Sequence, residues 1–161
     1  MKMKKFLTLG LAAIMAVSMV GCVNQHPEEA NGTAASSDDV RIVATSPATA
    51  DICDRLELDL VGVCSSTLST IPERYKDVTQ IGTAMSPDLE ILKSLKPDYV
   101  LSPSSLQSDL QPKYESIGVN SIFLNLKSVE GMYASISDLG QKFDREEKAQ
   151  ALGDEFNEFM E

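Results

Sequence analysis

From Val40 onward, short apolar runs alternate with stretches in which apolar residues recur every three or four positions. The runs VRIVA (40–44), LVGVC (60–64), DYVLS (98–102) and NSIFLNL (120–126) are nearly continuous in aliphatic residues, which predicts buried strands. After the first run, Ser46 fits a helix N-cap and Pro47 a first-turn proline. Thr49, Ile52, Cys53 and Leu56 then follow at helical spacing. Ser86-Pro87 repeats the cap-and-proline pair ahead of Leu89, Leu92 and Leu95. Leu106, Leu110, Tyr114 and Ile117 predict a further helix, which Pro112 should break or kink. Val129, Met132, Tyr133, Ile136 and Phe143 mark a long helix. Asp144 and Glu147 then form a capping-box-like start for a last one striped by Ala149, Leu152, Phe156 and Phe159. Strands alternating with helices in this way predict an α/β fold: a parallel sheet covered by helices on both faces. In such sheets ligands sit beyond the carboxyl ends of the strands. The Ser-Pro pairs at 46–47, 86–87 and 102–103 fall on or just past that rim, and so does Met85 in IGTAMSPDLE. A methionine is usually core filler, but one in a polar loop can also point its thioether at a ligand.

The amino-terminal residues follow different rules. Lys2, Lys4 and Lys5 precede an apolar stretch, Phe6 to Val20, that is short for a membrane span, and Gly21-Cys22 closes it. Residues 1–21 therefore read as a lipoprotein signal peptide with Cys22 as the acylated mature end. An ordinary secretory leader with an incidental cysteine is the plainer alternative. Acylation would anchor the product to the outer side of the cell membrane, so an extracytoplasmic location is expected. Residues 22–39, rich in small and acidic residues, read as a flexible tether, in which His26, the chain's one histidine, is expected to be solvated. About 120 residues remain, enough for one core. They divide into an α/β lobe at 40–143 and the start of a helix at 144–161.

Charge and chemistry narrow the function. A net charge of −10 argues against nucleic acid as a partner and against electrostatic adhesion to anionic lipid. No G-x-S-x-G and no histidine occur in the folded region, so an exported α/β hydrolase lacks both elbow and base, and no enzyme activity is expected. A manganese or zinc receptor would need histidine and carboxylate clusters that this region lacks. Cys53 and Cys64 read as small buried hydrophobes, with a disulfide between them left open. An adhesive or sensing lipoprotein with no transport role also stays open.

RIVATSPATADICDRLELDLVGVC and IPERYKDVTQIGTAMSPDLEILKSLKPDYVLS together resemble the N-terminal lobe of class III, helical-backbone solute-binding proteins. These serve ABC importers of iron chelates, cobalamin and haem. Within that family AMSPDLEILKSLKP, FLNLKSVEGM and the DREEKA helix start are most similar to haem-receptor lipoproteins of the iron-regulated surface determinant type; the likeness covers residues 40–152. The resemblance implies two lobes joined by one long helix, of which 144–161 would be the beginning and the second lobe would be missing. It implies haem as transported ligand, with a siderophore or cobalamin as the variant cargo. Met85 would be an axial ligand of the haem iron, opposite a second-lobe histidine that His26 cannot supply. Ser46, Ala48, Ser66 and Thr67 would face the porphyrin or its propionates, although Ser46 is equally explained as a helix cap. Glu90 matches the carboxylate with which family members meet an arginine of the ABC permease; its plain alternative is a solvated helix residue.

Overall fold

The computed structural model describes residues 39–160, with side chains as far as Glu158. The segment read as a signal peptide, Cys22, His26 and all but the last residue of the segment read as a tether lie outside the described residues. Seven strands and five α-helices are described: β1 Ile42–Ala44, α1 Pro47–Arg55, β2 Leu60–Val63, β3 Thr79–Gln80, β4 Gly82–Thr83, β5 Ser86–Pro87, α2 Leu89–Leu95, β6 Tyr99–Pro103, α3 Gln107–Ser116, β7 Ser121–Leu124, α4 Val129–Lys142 and α5 Glu146–Met160. Five strands form one sheet in the order β3-β2-β1-β6-β7, with every pairing parallel.

Alternation along the strands sends side chains to two cores. Ile42, Ala44 and Leu101 join α1, α4 and the Ala149 turn of α5 on one face. Val43 and Val100 meet Leu92 of α2 and Leu110 and Tyr114 of α3 on the other. Each face is buried, which is why the strands read as continuous apolar runs. Cys53 is fully buried in the first core and Cys64 is buried just past β2; both thiols are free.

Three local readings change. Ser86-Pro87 does not start a helix: it is β5, paired antiparallel with β4, and the cap of α2 is Asp88, whose Oδ1 accepts from Glu90 N and Ile91 N, each at 3.0 Å. A carboxylate at that position meets two orphan amides that a serine two residues earlier cannot reach. Pro112 lies inside α3 without ending it. Its ring sits on the exposed side, while Leu110 and Tyr114, both fully buried, hold the helix to the sheet. Asp144 is no cap, because its φ of 54° puts it in the left-handed region just after α4, and α5 begins at Glu146. α4 and α5 then cross closely: a Cβ at Gly140 would stand 2.6 Å from that of Ala149.

Candidate functional site

The carboxyl ends of β1, β2 and β3 release three loops. The one after β3 folds into the β4–β5 hairpin, whose two-residue tip is Ala84-Met85. The hairpin is fixed at its base rather than along its length. Ile81, fully buried, donates its N–H to Val63 O at 3.0 Å and accepts from Asp88 N at 2.7 Å, while Ser65 N donates to Gly82 O at 2.8 Å. Gly82 has φ +91°, and a Cβ there would lie 2.9 Å from Ser86 O, so only glycine lets the two short strands close. At the tip, Met85 is 75% exposed. At that exposure it packs little against the core.

Beneath it lies a depression of about 690 Å³, lined by Pro47, the loop Ser65–Ser69, Gln80, Thr83, Ala84 and Met85. Side chains bearing a hydroxyl or amide (Ser65, Ser66, Thr67, Ser69, Gln80 and Thr83) share its lining with the apolar Pro47, Leu68, Ala84 and Met85. Two other concavities, of about 450 and 510 Å³, flank α5, well away from the strand ends.

Ser66, Thr67 and Met85, three of the sequence-derived candidates, come together on this depression. Ser66 has a further duty: its Oγ accepts from Leu68 N at 3.3 Å and Ser69 N at 3.1 Å, which shapes the loop. Ser46 is buried and committed to a capping box. Its Oγ accepts from Thr49 N at 3.1 Å, and its own N–H donates to Thr49 Oγ1 at 3.0 Å. Ser46 and exposed Ala48 are not among the lining residues; Pro47 between them is. Glu90 stands apart, exposed in the first turn of α2, with no ion pair to another described residue. The third Ser-Pro pair does not line the depression. Ser102 is fully buried, its Oγ 2.7 Å from Thr45 Oγ1 and 3.1 Å from Tyr114 OH. This chain of hydroxyls satisfies the interior ends of β1 and β6 and ties α3 to them. Burial pushes the Tyr114 phenol above its ordinary range, partly opposed by the neighbouring Ser102 and Thr45 hydroxyls, so it stays neutral.

Sequence reasoning missed Leu68, Gln80 and Thr83. For Leu68 a signal was present: it is the one apolar residue in SSTLST, with no periodic neighbours to pack against. Among the described residues no group of three or more His, Cys, Asp or Glu side chains gathers as a metal cluster.

The parallel sheet thus carries a depression of about 690 Å³ at its strand ends. Residues 42–161 match the model of the periplasmic binding protein family, and the chain belongs to that family. Over 157 residues, 98% of the chain, it is 36% identical to the high-affinity heme uptake system protein IsdE of Staphylococcus aureus, 51% of which is covered. Its structure is similar to that of an ABC transporter substrate-binding protein from Listeria monocytogenes EGD-e, with 43% identity, a TM-score of 0.72, and 74% of this chain and 46% of that one covered. S. aureus IsdE complexed with heme gives 40% identity and a TM-score of 0.71 over the same shares. The chain therefore spans about half the length of the relatives it matches.

Proposed function

We propose that this chain is the N-terminal lobe of a haem receptor that serves an ABC importer, extracytoplasmic and held to the cell membrane through a lipidated Cys22. The observation that carries the reading is Met85, held at the tip of a base-anchored hairpin, 75% exposed and lining a rim depression. A neutral thioether is a soft donor suited to haem iron, and a methionine–histidine pair is an established axial arrangement. Haem is cargo here, so its iron is substrate rather than a resident cofactor. The half of the relatives' length that this chain does not span would supply the opposite wall and the second axial ligand. The heme complex of a 40% identical relative supports that choice of cargo.

Other residues take lesser parts. Thr67 and Gln80 border the depression and offer hydrogen bonds to a ligand's polar edge, while Ser66 mainly holds its own loop. Glu90, exposed on a rigid helix, is suited to a charge-assisted pair with an arginine of the permease.

The test is an absorption titration with haemin of the protein expressed in full from its gene. Wild type is expected to give a sharpened Soret band with the features of methionine ligation. Met85→Ala should shift that spectrum and weaken binding at least tenfold, about 1.4 kcal/mol. A Met85→Ala protein with unchanged spectrum and affinity would remove the ligand assignment. No Soret response in the wild type would point to another chelate as cargo.

A further inference from the structure

The two most exposed large apolar side chains of the described residues are Leu68, at 96%, and Met85, at 75%; Val129 follows at only 39%. Both line the same depression, from separate loops at the ends of β2 and β3. Neither is placed by packing. Met85 rides on the hairpin, whereas Leu68 is presented by a turn that Ser66 Oγ holds through the amides of Leu68 and Ser69. The turn needs the Ser66 hydroxyl and backbone amides only, so the fold itself does not require a leucine at position 68. One exposed apolar side chain is ordinary, but two that line a single depression make an apolar surface that a ligand can cover.

We infer that Leu68 is a second ligand-contacting residue of the Met85 site, its side chain packing against the apolar surface of a flat macrocycle whose metal Met85 addresses. The inference rests on the haem-receptor reading and adds to it a non-coordinating contact. The occupant follows from the lining. Hydroxyl and amide groups on Thr67, Gln80 and Thr83 suit a polar edge, and the two exposed apolar side chains suit a broad apolar face. A wholly polar chelate would leave Leu68 in water. A small ion would leave most of a depression of about 690 Å³ unfilled.

The test pairs two variants of the protein expressed in full, Leu68→Ser and Leu68→Met, titrated with haemin beside wild type and followed by absorbance. Leu68→Ser is expected to weaken haemin about tenfold while the ligation bands keep their wavelengths, because Met85 still reaches the metal. Leu68→Met, which restores an apolar side chain of similar volume, should bind within about twofold of wild type. The inference is overturned if Leu68→Ser binds as tightly as wild type, or if Leu68→Met loses as much as Leu68→Ser. Unchanged haemin binding with lost haem-dependent growth would also overturn it, by assigning Leu68 to a protein partner. If wild type gives no ligation bands at all, the cargo reading itself fails and takes Leu68 with it. That outcome is distinct from a wild type that binds and a Leu68→Ser variant that binds equally well.

Discussion

Cys53 shows how a side chain that reads ambiguously in sequence becomes definite once its surroundings are known. In the sequence it was either a small hydrophobe or half of a disulfide with Cys64; in the fold both thiols are free and buried. Burial, reinforced by the neighbouring Asp54 charge, pushes the Cys53 thiol from its ordinary 9.0 up to about 12. Burial likewise raises Cys64 to about 11. In the unfolded chain these groups ionise near 9, so between pH 9 and about 12 the unfolded state binds fewer protons and stability falls as pH rises. Each thiol still protonated in the fold costs about 1.4 kcal/mol per pH unit in that window. Urea midpoints measured at pH 7, 9, 10 and 11 should be level up to about 9 and then drop. Cys53→Ala should flatten part of the drop, with Cys64 and buried Tyr75, also raised by burial, keeping the rest. A Cys53→Ala profile as steep as wild type would mean that Cys53 ionises as readily in the fold as in the unfolded chain. Neither thiol should react readily with maleimide at pH 7 until the chain unfolds, since burial removes both access and thiolate.

The β4–β5 hairpin is the element on which the candidate site depends, and it was the least legible in sequence. Each of its strands is two residues long, and Thr83 and Ser86 are exposed, so neither period nor apolar run marks it. Ser86-Pro87 also matches a helix start, as Ser46-Pro47 correctly does; the competing signal, Asp88 before Leu89, was one position too ordinary to stand out. β3, an exposed two-residue edge strand, escaped for the same reason. By contrast, β1, β2, β6 and β7 were readable because burial on both faces demands aliphatic residues throughout. The rim position of Met85 followed from that strand pattern, but the tip geometry did not. Gly82 makes the hairpin possible, so Gly82→Ala should strain it twice, by φ +91° and by a 2.9 Å approach to Ser86 O. The cost is about 1–3 kcal/mol, falling on the hairpin, and haemin affinity should drop several-fold with broadened ligation bands. If affinity and bands are unchanged, Met85 does not depend on this hairpin for its position.

In the proposed receptor, capture and delivery would fall to different surfaces, and this chain carries a candidate for each within six residues. Met85 stands on the hairpin over the depression; Glu90 stands in the first turn of α2, exposed and without an ion pair among the described residues. Between them β5 and the Asp88 cap form a short rigid link, since Asp88 bonds back to Ile81 in the core and forward to the amides of α2. The two roles should therefore separate cleanly under mutation despite their closeness. Glu90→Gln removes one charge, disturbs no described side-chain bond and leaves the cap in place. Its haemin affinity and spectrum should match wild type, while growth on haem as iron source should fall, because the proposed pair with a permease arginine would lose its carboxylate. An exposed pair in a docking interface that excludes water is worth more than a surface ion pair, so a tenfold or greater loss of import is expected. Met85→Ala should show the reverse order, with binding lost first and import following from it. Raising salt should weaken wild-type import more than Glu90→Gln import, because screening acts on the charge that the variant has already lost. If Glu90→Gln imports haem as well as wild type does, α2 is not the docking surface and Glu90 is an ordinary solvated residue. If it loses haemin binding instead, the hairpin and α2 are coupled, and the division between the two surfaces does not hold.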